Sequence, residues 1–304
     1  MQRALTDHNN CLAALRWALA ECQGEIAISL AGSLWWFWYR RGYLQEGRKL
    51  TERVIQATES IGGIPHGMAL NAGGMLALWL GESELSIERN HASLALGEQS
   101  GFPLGIMMGH FTYGVSLLNG GRDKEAYGHL TMAAEMFDEV ADNWDKVNTL
   151  IHLANASLGL GETQQAETWL RQAMSLAERV GDPWQIAFCH NNFGEVARAE
   201  GDYERARGYY ERAEALYRKA DALGDHARLI HTLGYMALHD GETARAEELF
   251  HESLAAFRKL GNKRGMAECL AGLAAVAAVR GATVRGDAAW GAPLLAAADA
   301  QITT

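Results

Sequence analysis

Proline is scarce, with four residues in 304, at Pro65, Pro103, Pro183 and Pro293. Each is placed at the start or edge of an expected helix, so long stretches are free to be helical. Cysteine is as rare. Cys11, Cys22, Cys189 and Cys269 form no C-x-x-C pair, and each reads as a reduced, buried, small hydrophobe of a cytoplasmic protein. Positive charge is short: 27 Lys and Arg against 37 Asp and Glu give a net charge of −10. An acidic chain repels phosphate backbones, which argues against direct nucleic-acid binding. The pairs Arg40–Arg41 and Lys263–Arg264 are too short to reverse that. No run of 18 uncharged apolar residues exists, so no membrane span is expected. Arg16 interrupts the first apolar segment, which excludes a secretory leader pattern.

The motifs of chemistry are also missing. There is no G-x-x-x-x-G-K-[ST] and no G-x-S-x-G, and no Cys–His arrangement or apolar carboxylate pair stands out. His226 and His231 are five residues apart and do not share the helix face that metal binding requires. The sequence therefore offers no catalytic residue, no metal site and no cofactor.

Glycine is what the chain has in pattern. Gly81, Gly121, Gly161, Gly201, Gly241 and Gly281 recur every 40 residues, among 33 glycines in all. Five positions after each stands a small residue: Ser86, Ala126, Ala166, Ala206, Ala246 and Gly286. A fixed period of this length is the mark of a solenoid. Between the glycines, apolar residues recur at helical spacing. Ile186, Phe188, Cys189, Phe193, Val196 and Ala197 form one stripe, and Ala206, Tyr209, Tyr210, Ala213, Leu216 and Tyr217 form the next.

Each 40-residue unit thus holds two helices and two turns. Gly201-Asp202, Gly161-Glu162-Thr163 and Gly241-Glu242-Thr243 supply a left-handed cap and then a side-chain oxygen to open the following helix. Gly181-Asp182-Pro183 does the same at the other end of the unit. The small residue after each phased glycine lies where the second helix crosses the first.

The expected fold is all-α: a right-handed α-solenoid of about seven antiparallel helix pairs, one continuous domain over 1–304. An N-terminal helix covers 6–22, and pairs follow near 25–60, 66–99, 104–140, 145–180, 184–220, 224–260 and 264–299. Gly224-Asp225 comes about three residues late relative to Gly181-Asp182, which predicts an extended helix before it.

The stretch Gly194 to Ala206, with Gly201-Asp202-Tyr203 at its centre, resembles the tetratricopeptide repeat turn. Gly114…Gly121…Ala126, Ala154…Gly161…Ala166 and Gly234…Gly241…Ala246 repeat the pattern. The usual repeat has 34 residues; this one has 40. Leu12 to Leu19, Leu30 to Trp38, Arg41 to Arg48 and Leu270 to Ala277 are similar to the repeat region that follows the ATPase module in bacterial transcriptional activators of the LuxR type and the antibiotic-regulatory type. That resemblance implies a sensor or partner-binding arm, excised or free-standing.

In such a solenoid the first helix of each pair lines a concave face, where ligands bind. The candidate contacts there are Asn71, His110, Asn148, His152, Asn155, Asn191, Glu195, Arg198, His231 and Tyr235. Amides, imidazoles and an Arg–Glu pair offer both donors and acceptors, which suits a peptide, a protein segment or a small effector. The alternative is a water-filled groove whose polar groups satisfy each other. The run Trp35-Trp36-Phe37-Trp38-Tyr39 wraps round a helix. It reads as a packing cluster under the N-terminal helix, or as an exposed patch for a domain or a flat ligand. A solenoid enzyme, with Glu195 as the residue to test, and a self-associating scaffold are the competing functions.

Overall fold

A computed structural model describes residues 2–140 and 143–284, and among these residues there are fourteen α-helices and no strand. The chain divides into two compact units, Met1–Ala141 and Asp142–Thr304. The first holds α1 Gln2–Ala20, α2 Gly24–Arg41, α3 Leu44–Thr58, α4 Gly63–Trp79, α5 Ser83–Ser100, α6 Pro103–Asn119 and α7 Asp123–Val140. The second holds α8 Asn143–Gly159, α9 Thr163–Val180, α10 Pro183–Ala199, α11 Tyr203–Ala220, α12 Leu223–His239, α13 Thr243–Leu260 and α14 Lys263–Val284. Within each unit, successive helices pack as antiparallel pairs, and each pair packs on the next, so both are α-solenoids. No described helix is long and apolar enough to cross a membrane.

The turns explain the helix lengths. Gly81, Gly121, Gly161, Gly201 and Gly241 have φ of +71 to +81°, the left-handed region that glycine enters without strain. After each, the next amide reaches back five residues: Glu82 N to Ala77 O at 2.9 Å, Glu162 N to Ser157 O at 2.8 Å and Asp202 N to Ala197 O at 2.9 Å. This closes the helix end and satisfies a carbonyl that would otherwise be orphaned. At the next helix start, Asp202 accepts from Arg205 N and Asp182 from Trp184 N. Glu162 and Glu242 make no such side-chain bond, contrary to the sequence reading. Thr163 and Thr243, the better capping residues, sit one position inside the helix.

Two further expectations need correction. Gly281 makes no turn, because α14 runs through it to Val284. A charged residue follows each of the other phased glycines, whereas Ala282, the strongest helix former, follows Gly281. Nor is the pair at 224–260 out of phase. Asp221 takes the left-handed cap at φ +55°, 40 residues from both Gly181 and Gly261. So α11 has the same 18 residues as α9 and α13, and Gly224 lies inside the first turn of α12. Aspartate is one of the few residues that tolerates this conformation. Gly286, Pro293 and the second half of the expected last pair lie outside the described residues.

The crossings are tight. Ser86, Ala126, Ala166, Ala206 and Ala246 are all fully buried. Opposite them, Gly114, Gly194 and Gly234 face Leu130, Tyr210 and Phe250, so that a Cβ at Gly234 would lie 2.8 Å from the Phe250 ring. Absent side chains on the first helix let large ones on the second fill the space between them.

Candidate ligand-binding site

In the first unit, the opening helices of three consecutive pairs, α2, α4 and α6, border a cavity of about 200 Å³. Ile64, Gly67, Met68, Asn71 and Ala72 contribute from α4. Their spacing of three, four, seven and eight places them on one helix face. Leu104, Gly105, Met108 and Gly109 contribute in the same way from α6, Gly32 and Trp35 from α2, Ser93 and Gly97 from α5, with Phe102 just before α6. The wall is mostly apolar, yet Met68 is 48% and Leu104 53% exposed. Apolar side chains this open beside a cavity make it the candidate binding surface of the first unit.

The polar groups of the wall are held. Ser93 Oγ donates to Gly67 O at 2.8 Å. Asn71 Nδ2 donates to Thr112 Oγ1 at 2.6 Å and, at 3.5 Å, to Asn90 Oδ1. Thr112 in turn donates to Met108 O, and Asn90 to Ser116. This network turns the Asn71 nitrogen inward. Both of these bonds use the Asn71 nitrogen, and the residue lines the cavity.

His110 does not line the cavity. It is buried with its Nδ1 2.9 Å from His129 Nδ1 of α7, so one imidazole donates and the other accepts. Burial, and then the neighbouring His129, hold the His110 pKa below its ordinary value.

The aromatic run splits in two. Trp38 and Tyr39 are buried. Trp38 covers Gly47 of α3, where a Cβ would meet its ring at 2.5 Å. Tyr39 stacks on Trp79 at 4.0 Å, and Phe37 lies 4.7 Å from His8 of α1. Trp36 packs on Tyr39 and, edge-on, on Trp35. Trp35 alone of the five reaches the cavity.

The remaining sequence candidates belong to the second unit. Asn148 is buried and accepts from Gln185 Nε2 at 3.3 Å. His152 meets Phe188 edge-on at 5.6 Å. Burial, and then the charge of Arg228, push its pKa down to about 3. Asn155 and Asn191 are half-buried. Glu195 accepts from Tyr210 OH at 2.8 Å and from Arg198 Nη2 at 2.5 Å, so its carboxylate is turned to its own pair's second helix. Burial, with Glu195 beside it, pushes the Tyr210 phenol well up.

His231 and Tyr235 pack edge-on against Phe250 of α13, and Tyr235 is part of the buried core. Sequence reasoning placed both in an open groove because imidazole and phenol read as polar. The Tyr235 ring supplies core area, and the half-buried His231 ring packs against that core. Among the described residues no group of three metal-binding side chains comes together.

The structure thus brings only Asn71 and Trp35 of the sequence candidates to one cavity. Gly32, Ile64, Met68, Leu104 and Met108 also line it and were not among the sequence candidates. A signal existed, since Ile64 and Leu104, like Met68 and Met108, are 40 residues apart. In an amphipathic helix such positions are assigned to the core by default.

Comparison with known proteins supports the repeat reading. Residues 145–219, which span most of α8 to α11, match the tetratricopeptide repeat family model. No curated protein matches the chain. Among solved structures, a Rap protein complexed with Competence and Sporulation Factor aligns with a TM-score of 0.63 and 12% identity, covering 90% of this chain and 98% of that one. NprR in complex with its cognate peptide NprX gives 0.64 and 13%, covering 95% and 88%. The Rap conjugation gene regulator of plasmid pLS20, in complex with the Phr* peptide, gives 0.63 and 16%, covering 91% and 74%. At these identities the likeness is one of fold. The chain is an all-α solenoid of helix pairs, with tetratricopeptide repeats matched at residues 145–219.

Proposed function

We propose that this chain is a ligand-sensing helical-repeat module that binds a peptide or protein segment at the first-unit cavity. The observation that carries the reading is the cavity itself. Apolar side chains stand exposed around it, and Asn71 on its wall can accept from a peptide N–H. Proteins of similar fold solved with a bound peptide support it. Asn155 and Asn191, half-exposed in the second unit, are proposed as contacts of that unit by itself. The resemblance of Leu12–Leu19 and Leu30–Trp38 to the repeat arm of LuxR-type activators supports a finer reading. In it the chain is the cytoplasmic sensor arm of a bacterial signalling or transcription regulator, and its ligand acts by favouring one conformation over another.

A displayed library of short random peptides, selected on the whole chain, tests this. The expected outcome is enrichment of sequences with large apolar residues, whose binding falls at least about tenfold, or 1.4 kcal/mol, in Met68→Glu. Peptides that bind Met68→Glu as tightly as the parent chain would remove the cavity from the account.

A further inference from the structure

Five glycines line the cavity, and close packing explains three of them. A Cβ on Gly109 would lie 2.9 Å from Leu94 Cα, and one on Gly97 would lie 3.0 Å from the backbone carbon of Gly105. A Cβ on Gly105 would lie 3.0 Å from the Phe102 ring, whereas one on Gly67, 3.4 Å from Leu96, would make only an ordinary contact. These glycines let α5 lie close against its neighbours. Gly32 has no such reason. It sits in the middle of α2 with no positive φ, and a Cβ there meets nothing within 4 Å. A glycine inside a helix is less stable than alanine, and here neither a turn nor a close approach offsets that. What distinguishes Gly32 is its place on the cavity wall, one turn before Trp35.

We infer that Gly32 is a specificity-determining position, which keeps the cavity wide enough to take a bulky apolar side chain of a bound peptide, phenylalanine or leucine in size. The inference rests on the peptide-binding reading and deepens it. An apolar cavity of about 150 Å³ accepts benzene; this one, at about 200 Å³, has room for a substituted ring or a branched chain. Met68 and Met108 give the wall flexible thioethers that adapt to either. Asn71 lies on the same wall, and its oxygen can accept an amide N–H. That favours a peptide residue over a free hydrocarbon as the occupant.

The probes are N-acetyl amides of phenylalanine, leucine, alanine and glycine, with toluene as the ring that lacks an amide. Saturation-transfer NMR measures their binding to the full chain and to Gly32→Ala, Gly32→Leu and Gly128→Ala. Gly128 is a helical glycine of α7 with equally open surroundings and does not line this cavity. The parent chain is expected to prefer the phenylalanine and leucine amides to the glycine amide by tenfold or more, and to bind toluene weakly. Gly32→Ala should shift preference toward the alanine amide while raising the thermal midpoint. Gly32→Leu should abolish binding, and Gly128→Ala should raise the midpoint and leave binding alone.

Unchanged size preference in Gly32→Ala overturns the inference, as does a fall in its midpoint, which would show a packing role. Toluene binding as well as the phenylalanine amide overturns the peptide residue as occupant. If library-selected peptides bind in a manner sensitive to Met68→Glu yet ignore Gly32, the broader function stands and this inference falls. If neither peptides nor amides bind, both fall.

Discussion

Asn71 separates its two ends. Its nitrogen is committed to Thr112 and Asn90, which fixes the side chain, and in the proposed function its oxygen accepts from the ligand. A net hydrogen bond contributes about 1 kcal/mol, so Asn71→Ala should weaken a selected peptide by about 5- to 10-fold in titration calorimetry. The same substitution should lower unfolding free energy by about 1 kcal/mol, because Thr112 and Asn90 lose a donor. A large stability loss with unchanged affinity would make Asn71 purely structural. Asn71 was legible in the sequence as a polar residue on an opening helix. Met68 and Leu104 were not, because an apolar residue at helical spacing looks the same whether it packs inward or stands at a cavity. Tyr235 shows the opposite case, a polar-looking ring that stands in the core, with the half-buried His231 packed beside it.

At the scale of the helix, two kinds of glycine give opposite expectations. Gly161 holds φ +79° at a cap. Gly161→Ala forces a side chain into the left-handed region and should cost about 1–2 kcal/mol in urea unfolding. Gly128 is helical and open, and Gly128→Ala should gain about 0.5–1 kcal/mol. At the crossings, Gly234→Ala drives a methyl against Phe250 and should cost about 1–3 kcal/mol. The 40-residue glycine series made the helix ends readable. Asp221 was not, since only the backbone conformation shows that an aspartate stands in for glycine at that cap. Gly281 shows the converse: a glycine in phase makes no turn when alanine follows and the helix continues.

Across the whole molecule, burial is the leading cause holding seven histidines, at 8, 110, 129, 152, 190, 226 and 231, below the ordinary imidazole pKa. The folded chain keeps them neutral where the unfolded chain takes up protons. Their contribution is therefore intact above the unfolded pKa of about 6.5 and is lost as pH falls below it, at up to about 1.4 kcal/mol per pH unit for each group. For His152 the loss continues toward its folded value of about 3. Urea midpoints should accordingly drop between pH 7.5 and pH 5, and His152→Gln should flatten part of that slope. A midpoint that rises on acidification would contradict the burial seen here.

The cavity lies within the first unit, so its occupancy has a local readout among the ten methionines of the chain. Methyl-labelled methionine NMR, with a library-selected peptide titrated in, observes Met68 and Met108 directly. The account predicts that these two methyl signals shift first and furthest, with saturation matching the calorimetric affinity. Binding that leaves both signals in place while methionines of the second unit, such as Met174 or Met236, move would contradict it.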